Sequence, residues 1–231
     1  MRATWLAAML VLMPGSAVFG DAAPEGFMPL FNGTDLAGWR GRPHAHPQEE
    51  TKGSDEEQTG RRKKWNDDLA AHWKVEDGII VNDGRGVFLT TDRDYGNFEL
   101  LLDWKLVDPC GDSGIYLRAN PQVQIWDPAC DRDVKHGCQK GSGGLWNNPA
   151  DSPGRFPKVR ADKPIGEWNT MRITMRGDRV TVALNGEAVV EDCPLANHFD
   201  KGKPLPATGP IQIQTHGGRM QVRNVFIREL P

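Results

Sequence analysis

DSGIYLRANPQVQIWD, residues 112–127, reads as two short strands joined by a turn. Gly114–Arg118 and Gln122–Trp126 are the strands, and Asn120-Pro121 is the break between them. Side chains alternate faces along a strand. Tyr116 and Arg118 therefore share one face of the first strand, with Ile115 and Leu117 on the other. Gln122, Gln124 and Trp126 share one face of the second, with Val123 and Ile125 opposite. The aliphatic faces suit a core. The other faces offer planar amides, a guanidinium, a phenol and an indole, which are the groups that grip a saccharide. An ordinary solvated sheet face carries the same residue types and stands beside that reading.

The same cadence continues along the chain. WKVEDGIIVND (73–83) places an Asp77-Gly78 turn between two β-rich runs, a strong hairpin signal. NFELLLDWKLVD (97–108) puts Phe98, Leu100, Leu102 and Trp104 on one face and Glu99, Leu101, Asp103 and Lys105 on the other. Ten to twelve short strands follow from such runs, with almost no helix. That pattern predicts an all-β fold, a two-sheet jelly-roll sandwich. Residues 40–72 show neither helical nor strand periodicity and read as a surface insertion, with one helical turn near Asp67–Ala71. Residues 128–166 are irregular, and a loop of that length in a compact domain is usually functional.

The chain of 231 residues opens with Met1-Arg2, an apolar run Trp5–Met13 and then small residues. This is the pattern of an export signal over residues 1–20, cut after Gly20, leaving a single domain over 21–231. The apolar run is too short to span a bilayer, and no later stretch is apolar enough to do so. A net charge of −3 gives no electrostatic case for nucleic acid. The expected location is periplasmic or extracellular. Four cysteines, Cys110, Cys130, Cys138 and Cys193, then predict two disulfides, in any of three pairings.

Assigning aliphatic sides inward leaves one set of polar groups outward. Glu99, Asp103 and Lys105 come from one strand, and Tyr116, Arg118, Gln122, Gln124 and Trp126 from the pair already described. PIQIQTHG (210–217) adds Gln212, Gln214 and His216. If these strands are neighbours, they form one candidate site. His216, at a strand end before two glycines, is a candidate general base, or else a turn histidine bonded to backbone. Glu99 and Asp103 are about 13 Å apart along a strand, beyond the roughly 5–10 Å of glycosidase carboxylate pairs. A salt bridge with Arg118 or Lys105 is the plain alternative for either acid. Trp126 and Trp146 are candidates for stacking on a sugar ring or for packing. Asp127, Asp131 and Asp133 alternate as calcium ligands do, but lack the rest of that motif, which favours a solvated loop. Nucleophile elbow, zinc, phosphate-loop and dinucleotide signatures are absent.

FMPLFNGTDLAGW, WKVEDGIIV, NFELLLDW, DSGIYLR, VQIWD, GEWNTMRI, VALNG, GPIQIQTHG and VRNVFIREL together resemble the blocks of the 3-keto-disaccharide hydrolase family. That family is also described as a 3-keto-glucoside 1,2-lyase and 3-keto-2-hydroxy-glucal hydratase domain. The similarity spans about residues 26–230 and implies a concanavalin A-like jelly roll. It also implies cleavage of 3-keto-glycosides by proton abstraction at C2, elimination and hydration. On this reading His216 is the base, with Glu99 or Asp103 second. Arg118 or Lys105 polarises the ketone, or a divalent metal held by His216 and a carboxylate does so. Tyr116, Gln122, Gln124, Trp126, Trp146 and Gln214 hold the sugar. An oxidoreductase partner would supply the ketone. The resemblance departs at Gln122, where the family's pattern often carries Glu, and an amide cannot act as a base. A non-catalytic carbohydrate-binding module on the same fold is the rival reading. A conventional glucanase is disfavoured, because the Glu-x-Asp-x-x-Glu signature is missing.

Overall fold

A computed structural model describes residues 22–231, so the export signal expected over 1–20 lies outside the described residues. In chain order the elements are β1 (Met28–Pro29), β2 (Trp39–Arg42), α1 (Gln48–Thr51), α2 (Asp55–His72), β3 (Trp73–Glu76) and β4 (Ile79–Asn82). Then come β5 (Phe88–Thr91), β6 (Phe98–Leu106), β7 (Asp112–Tyr116), β8 (Gln122–Trp126) and β9 (Asn169–Arg176). β10 (Arg179–Leu184), β11 (Glu187–Pro194), β12 (Gln212–Ile213) and β13 (Met220–Glu229) complete the strands. They form two antiparallel sheets. The larger runs β11-β10-β9-β6-β13-β4-β3, with β1 added to β13, and the smaller runs β2-β5-β12-β7-β8.

One apolar layer joins the sheets. Phe98, Leu100, Leu102 and Trp104 point in from β6, and Ile115, Val123, Ile125 and Ile213 meet them from the smaller sheet, all buried. Removing these faces from water is the main force closing the sandwich. The outcome is the predicted all-β, two-sheet jelly roll.

The insertion at 40–72 differs from expectation. It contains α2, an 18-residue helix. Its start is written in the sequence. Ser54 accepts from the Glu57 backbone N–H while Glu57 returns a bond to the Ser54 N–H, and Asp55, Glu56 and Glu57 fill the positively polarised first turn. Its body is polar all round, and only Leu69 is buried, so no apolar stripe announces it. The helix is fixed to the smaller sheet by polar bonds instead. Gly41 N–H donates to Asn66 Oδ1 at 2.9 Å, and Val87 N–H to Asp68 Oδ2 at 2.7 Å.

Gly41 is where the helix comes closest. A Cβ there would sit 2.2 Å from the Trp65 carbonyl oxygen. Gly41→Ala is therefore expected to push α2 off β2, at an overpacking cost of about 1–3 kcal/mol. Calorimetry should show the melting midpoint falling by several degrees. An unchanged midpoint would mean that the helix is free to yield.

The two-disulfide expectation is corrected to one. Cys110 is bonded to Cys130, whereas Cys138 and Cys193 are buried thiols. The latter two belong to different packed clusters. Cys138 lies with Trp126 under the loop, and Cys193 on β11 lies in the main core. Burial, aided by Asp133, pushes the Cys138 thiol up and keeps it unreactive. The bridge fits an oxidising compartment. No described helix is long and apolar enough to cross a membrane.

Candidate active site

The outer face of the smaller sheet carries the candidate site. Strand β7 begins at Asp112, two residues earlier than the sequence reading placed it. Asp112, Gly114 and Tyr116 therefore form one outward column. On β8 they pair with Trp126, Gln124 and Gln122 respectively. On the other side Tyr116 pairs with Gln212, and the chain continues so that Gln214 N–H donates to Gly114 O at 2.9 Å. This face is not solvated. Tyr116, Gln122, Gln124, Trp126 and Gln214 are each less than a tenth exposed, under the loops that follow β8 and precede β12.

Asp112 is the hub. One oxygen, Oδ2, lies 3.1 Å from His216 Nδ1. The other, Oδ1, accepts from Gln124 Nε2 at 2.8 Å. A carboxylate only accepts, so this pairing assigns the His216 proton to Nδ1 and leaves Nε2 as a lone-pair base. The Asp112 hydrogen bond raises the His216 pKa above its ordinary 6.5, outweighing the opposite pull of burial. The same logic fixes the amides. With its nitrogen turned to Asp112, Gln124 offers its oxygen to Gln122 Nε2. Among the described residues, Gln122 Oε1 is then left buried without a partner, as is Gln214 Oε1. Both oxygens converge over Gly114, at 2.2 and 3.2 Å from where a Cβ would be. The missing Cβ at 114 makes the room that the Gln122 oxygen occupies, with the Gln214 oxygen beside it. A buried acceptor without a donor is costly, which marks this part of the floor as polar ground in the cleft.

These groups line a cleft of about 310 Å³. Trp126 and Trp146 form one wall, edge to face with centroids 5.2 Å apart, and Arg155 lies 4.2 Å above the Trp146 ring. The Trp126 indole N–H is taken by Gly141 O at 2.7 Å, so its ring, not its nitrogen, is what it can offer a ligand. Asn147, His136 and Asp133 come from the long loop. At one end His44 packs on Tyr116, 4.2 Å between centroids, and on Phe199, 4.8 Å. Burial, His198 and Arg42 push the His44 pKa down to about 4, so the capping ring is neutral. Burial and the Asp112 charge push the Tyr116 phenol well up, so it remains a hydrogen-bond donor.

Four predicted residues are not brought together with His216. Glu99, Asp103 and Lys105 belong to β6, in the other sheet, across the core. Glu99 is bonded by Arg172 and Arg228, whose charges hold its carboxyl low despite burial. Asp103 accepts from Thr170 Oγ1 at 2.7 Å, Asn224 Nδ2 at 2.9 Å and Arg223 Nε at 3.3 Å. Lys105 lies 4.7 Å over the Trp168 ring. Arg118 fails for a local reason. Its φ of 53° turns the chain out of the strand, and its guanidinium is spent on the Gly96 and Pro206 carbonyls. Asp127 caps loop N–H groups of Cys110 and Ala129 at 2.9 Å, as a structural acid would. Among the described residues no three His, Cys, Asp or Glu gather to hold a metal. Asp112, His136 and Asn147 were missed. Extending the alternation back from Gly114 would have found Asp112, but nothing in a loop's sequence points to the other two.

Comparison with known proteins agrees with this architecture. A solved structure from Parabacteroides distasonis, assigned provisionally to the glycosyl hydrolases, superposes with a TM-score of 0.60 at 23% identity, covering 90% of this chain and 95% of that one. A second from the same organism, similarly assigned, gives a TM-score of 0.51 at 27% identity over 69% and 91%. A 3-keto-disaccharide hydrolase of Bacteroides thetaiotaomicron is 26% identical, covering 89% of this chain and 79% of its own. The family model for the 3-keto-alpha-glucoside-1,2-lyase-like domain matches residues 26–228, from before β1 to within β13. That match takes in both sheets and every residue of the cleft, and the chain belongs to this family of carbohydrate-active hydrolases and lyases.

Proposed function

We propose that this protein cleaves 3-keto-glycosides by elimination across C2–C1, followed by hydration. The observation that carries the reading is the Asp112–His216 pair, with Nε2 unclaimed, at the rim of an amide-lined cleft. A ketone at C3 acidifies the C2 proton. His216 Nε2 takes that proton, and the electron pair moves into the enolate. Tyr116, kept protonated, and Asn147 are the donors available to the enolate oxygen. The enolate re-forms the ketone as the C1–O bond breaks, and the imidazolium protonates the departing oxygen. Water then adds at C1 of the 2-hydroxy-glucal with His216 again as base, and C2 is reprotonated. The net result is hydrolysis.

This route needs one base rather than two carboxylates. The cleft's carboxylates are committed: Asp112 to His216 and Gln124, and Asp133 to Arg132 at 3.2 Å. Gln122, Gln124 and Gln214 position the ring through its hydroxyls. A divalent metal would find His216 and Asp112 side by side, with Asp133 held by Arg132, and would there polarise the ketone oxygen. Export, and supply of the ketone by an oxidoreductase acting on C3, belong to the same proposal. The all-amide floor would equally suit a binding module, which keeps that reading as the rival.

Incubating the purified protein with 3-keto-glucosides, with and without chelator, tests the choice. Transient 2-hydroxy-3-keto-glucal followed by 3-keto-glucose is the expected sequence of products. Binding without turnover, with divalent metals supplied, would favour the module instead.

A further inference from the structure

The cleft does not end at His216. A second hollow of about 420 Å³ lies beyond it, bounded by Pro109, Cys110, Arg132 and Gly217. The two hollows share Asp112, Asp133 and His216, so they form one trough with the imidazole at its waist. We propose that this second hollow is the leaving-group subsite, and that it takes a hydrophilic, hydroxyl-bearing group such as a second hexose. The inference rests on the elimination reading above.

Geometry supports it first. The base acts at C2, and the bond that breaks starts at the neighbouring C1. Scission therefore occurs at the waist. With the keto ring held over the glutamines, whatever hangs from C1 must pass into the second hollow. Size supports it next. The first hollow is at the lower limit of ligand sites, which begin at about 300 Å³. A disaccharide needs both.

Chemistry names the occupant. No aromatic ring other than His216 lines the second hollow, so an aryl group would find nothing further to stack on. It offers a guanidinium, two carboxylates, the His216 imidazole and backbone. Arg132 Nη2 is anchored to Cys110 O at 3.0 Å and Asp133 Oδ2 at 3.2 Å, while no bond is made by Nη1 among the described residues. Arg132 sits on a 3-10 turn, Asp131–His136, tied at its base by the Cys110–Cys130 bridge. The grip is thus built on a pinned segment and not on a free loop.

The test compares kcat/KM for a 3-keto-disaccharide with that for methyl 3-keto-glucoside, in wild type and Arg132→Ala. The disaccharide-to-methyl ratio is expected to fall about tenfold, the effect of losing one charged hydrogen bond. Inhibition of methyl glycoside turnover by free glucose should weaken by a similar factor, and Arg132→Lys should recover part of both. A ratio unchanged in Arg132→Ala overturns the subsite, while turnover of the methyl glycoside leaves the elimination reading standing. No turnover of either substrate by wild type overturns both.

Discussion

Replacing His216 with alanine is expected to lower kcat on a 3-keto-disaccharide by about 10²–10⁴-fold, the usual contribution of a positioned general base. Saccharide binding should change little. His216 is well exposed, and its ion pair is with Asp112, so its removal leaves the glutamine floor and the tryptophan wall in place. Fold stability should also hold near the wild-type value. The His216 pKa is raised in the folded protein, so the pair adds stability below the unfolded value of 6.5. That contribution is lost as pH climbs through the raised value, and an exposed pair of this kind contributes little in any case. Steady-state kinetics beside calorimetric binding of the unoxidised disaccharide separate the two effects. Turnover within a few-fold of wild type would remove His216 from the mechanism.

The sequence carried the strands better than it carried their neighbours. Alternation in DSGIYLR and VQIWD put Tyr116, Gln122, Gln124 and Trp126 on one face, and the ladder between β7 and β8 has them there. Gln214 and His216 joined them because β12 pairs with β7. Yet β6 has the same alternating pattern and lies in the other sheet. Period-two patterning tells inward from outward within a strand but says nothing about which sheet the strand enters, so it does not reveal that Glu99, Asp103 and Lys105 lie across the core from His216. Arg118 was misplaced for a different reason. Alternation holds only while φ remains extended, and two consecutive left-handed residues, Arg118 and Ala119, end it. The helix α2 was invisible to hydrophobic periodicity, although its Ser54–Glu57 capping box was legible as Ser-x-x-Glu.

Asp112→Asn is expected to be nearly as damaging as loss of the base, and to leave a distinct signature. The substitution conserves shape and removes charge. In the wild type both neighbours donate to Asp112, the imidazole through Nδ1 and Gln124 through Nε2. An asparagine has one acceptor and one donor end, so one of these neighbours must face an N–H. If His216 faces it, the proton moves to Nε2 and the base is lost in its neutral form. If Gln124 faces it, that amide turns over and presents its nitrogen to Gln122, which must turn in response. The position over Gly114 then carries a donor in place of the Gln122 oxygen, which reverses the polarity of that part of the floor. Either outcome costs activity, the first in kcat and the second in KM, and about 10²-fold in kcat/KM is expected overall. The pH profile distinguishes this from mere unfolding. Wild-type kcat/KM should rise with pH through a value above 6.5, because neutral His216 is the active form and Asp112 raises its pKa. In Asp112→Asn the residual activity should keep a rising limb, shifted to lower pH. A limb that stays where the wild type has it would show that Asp112 does not tune the base.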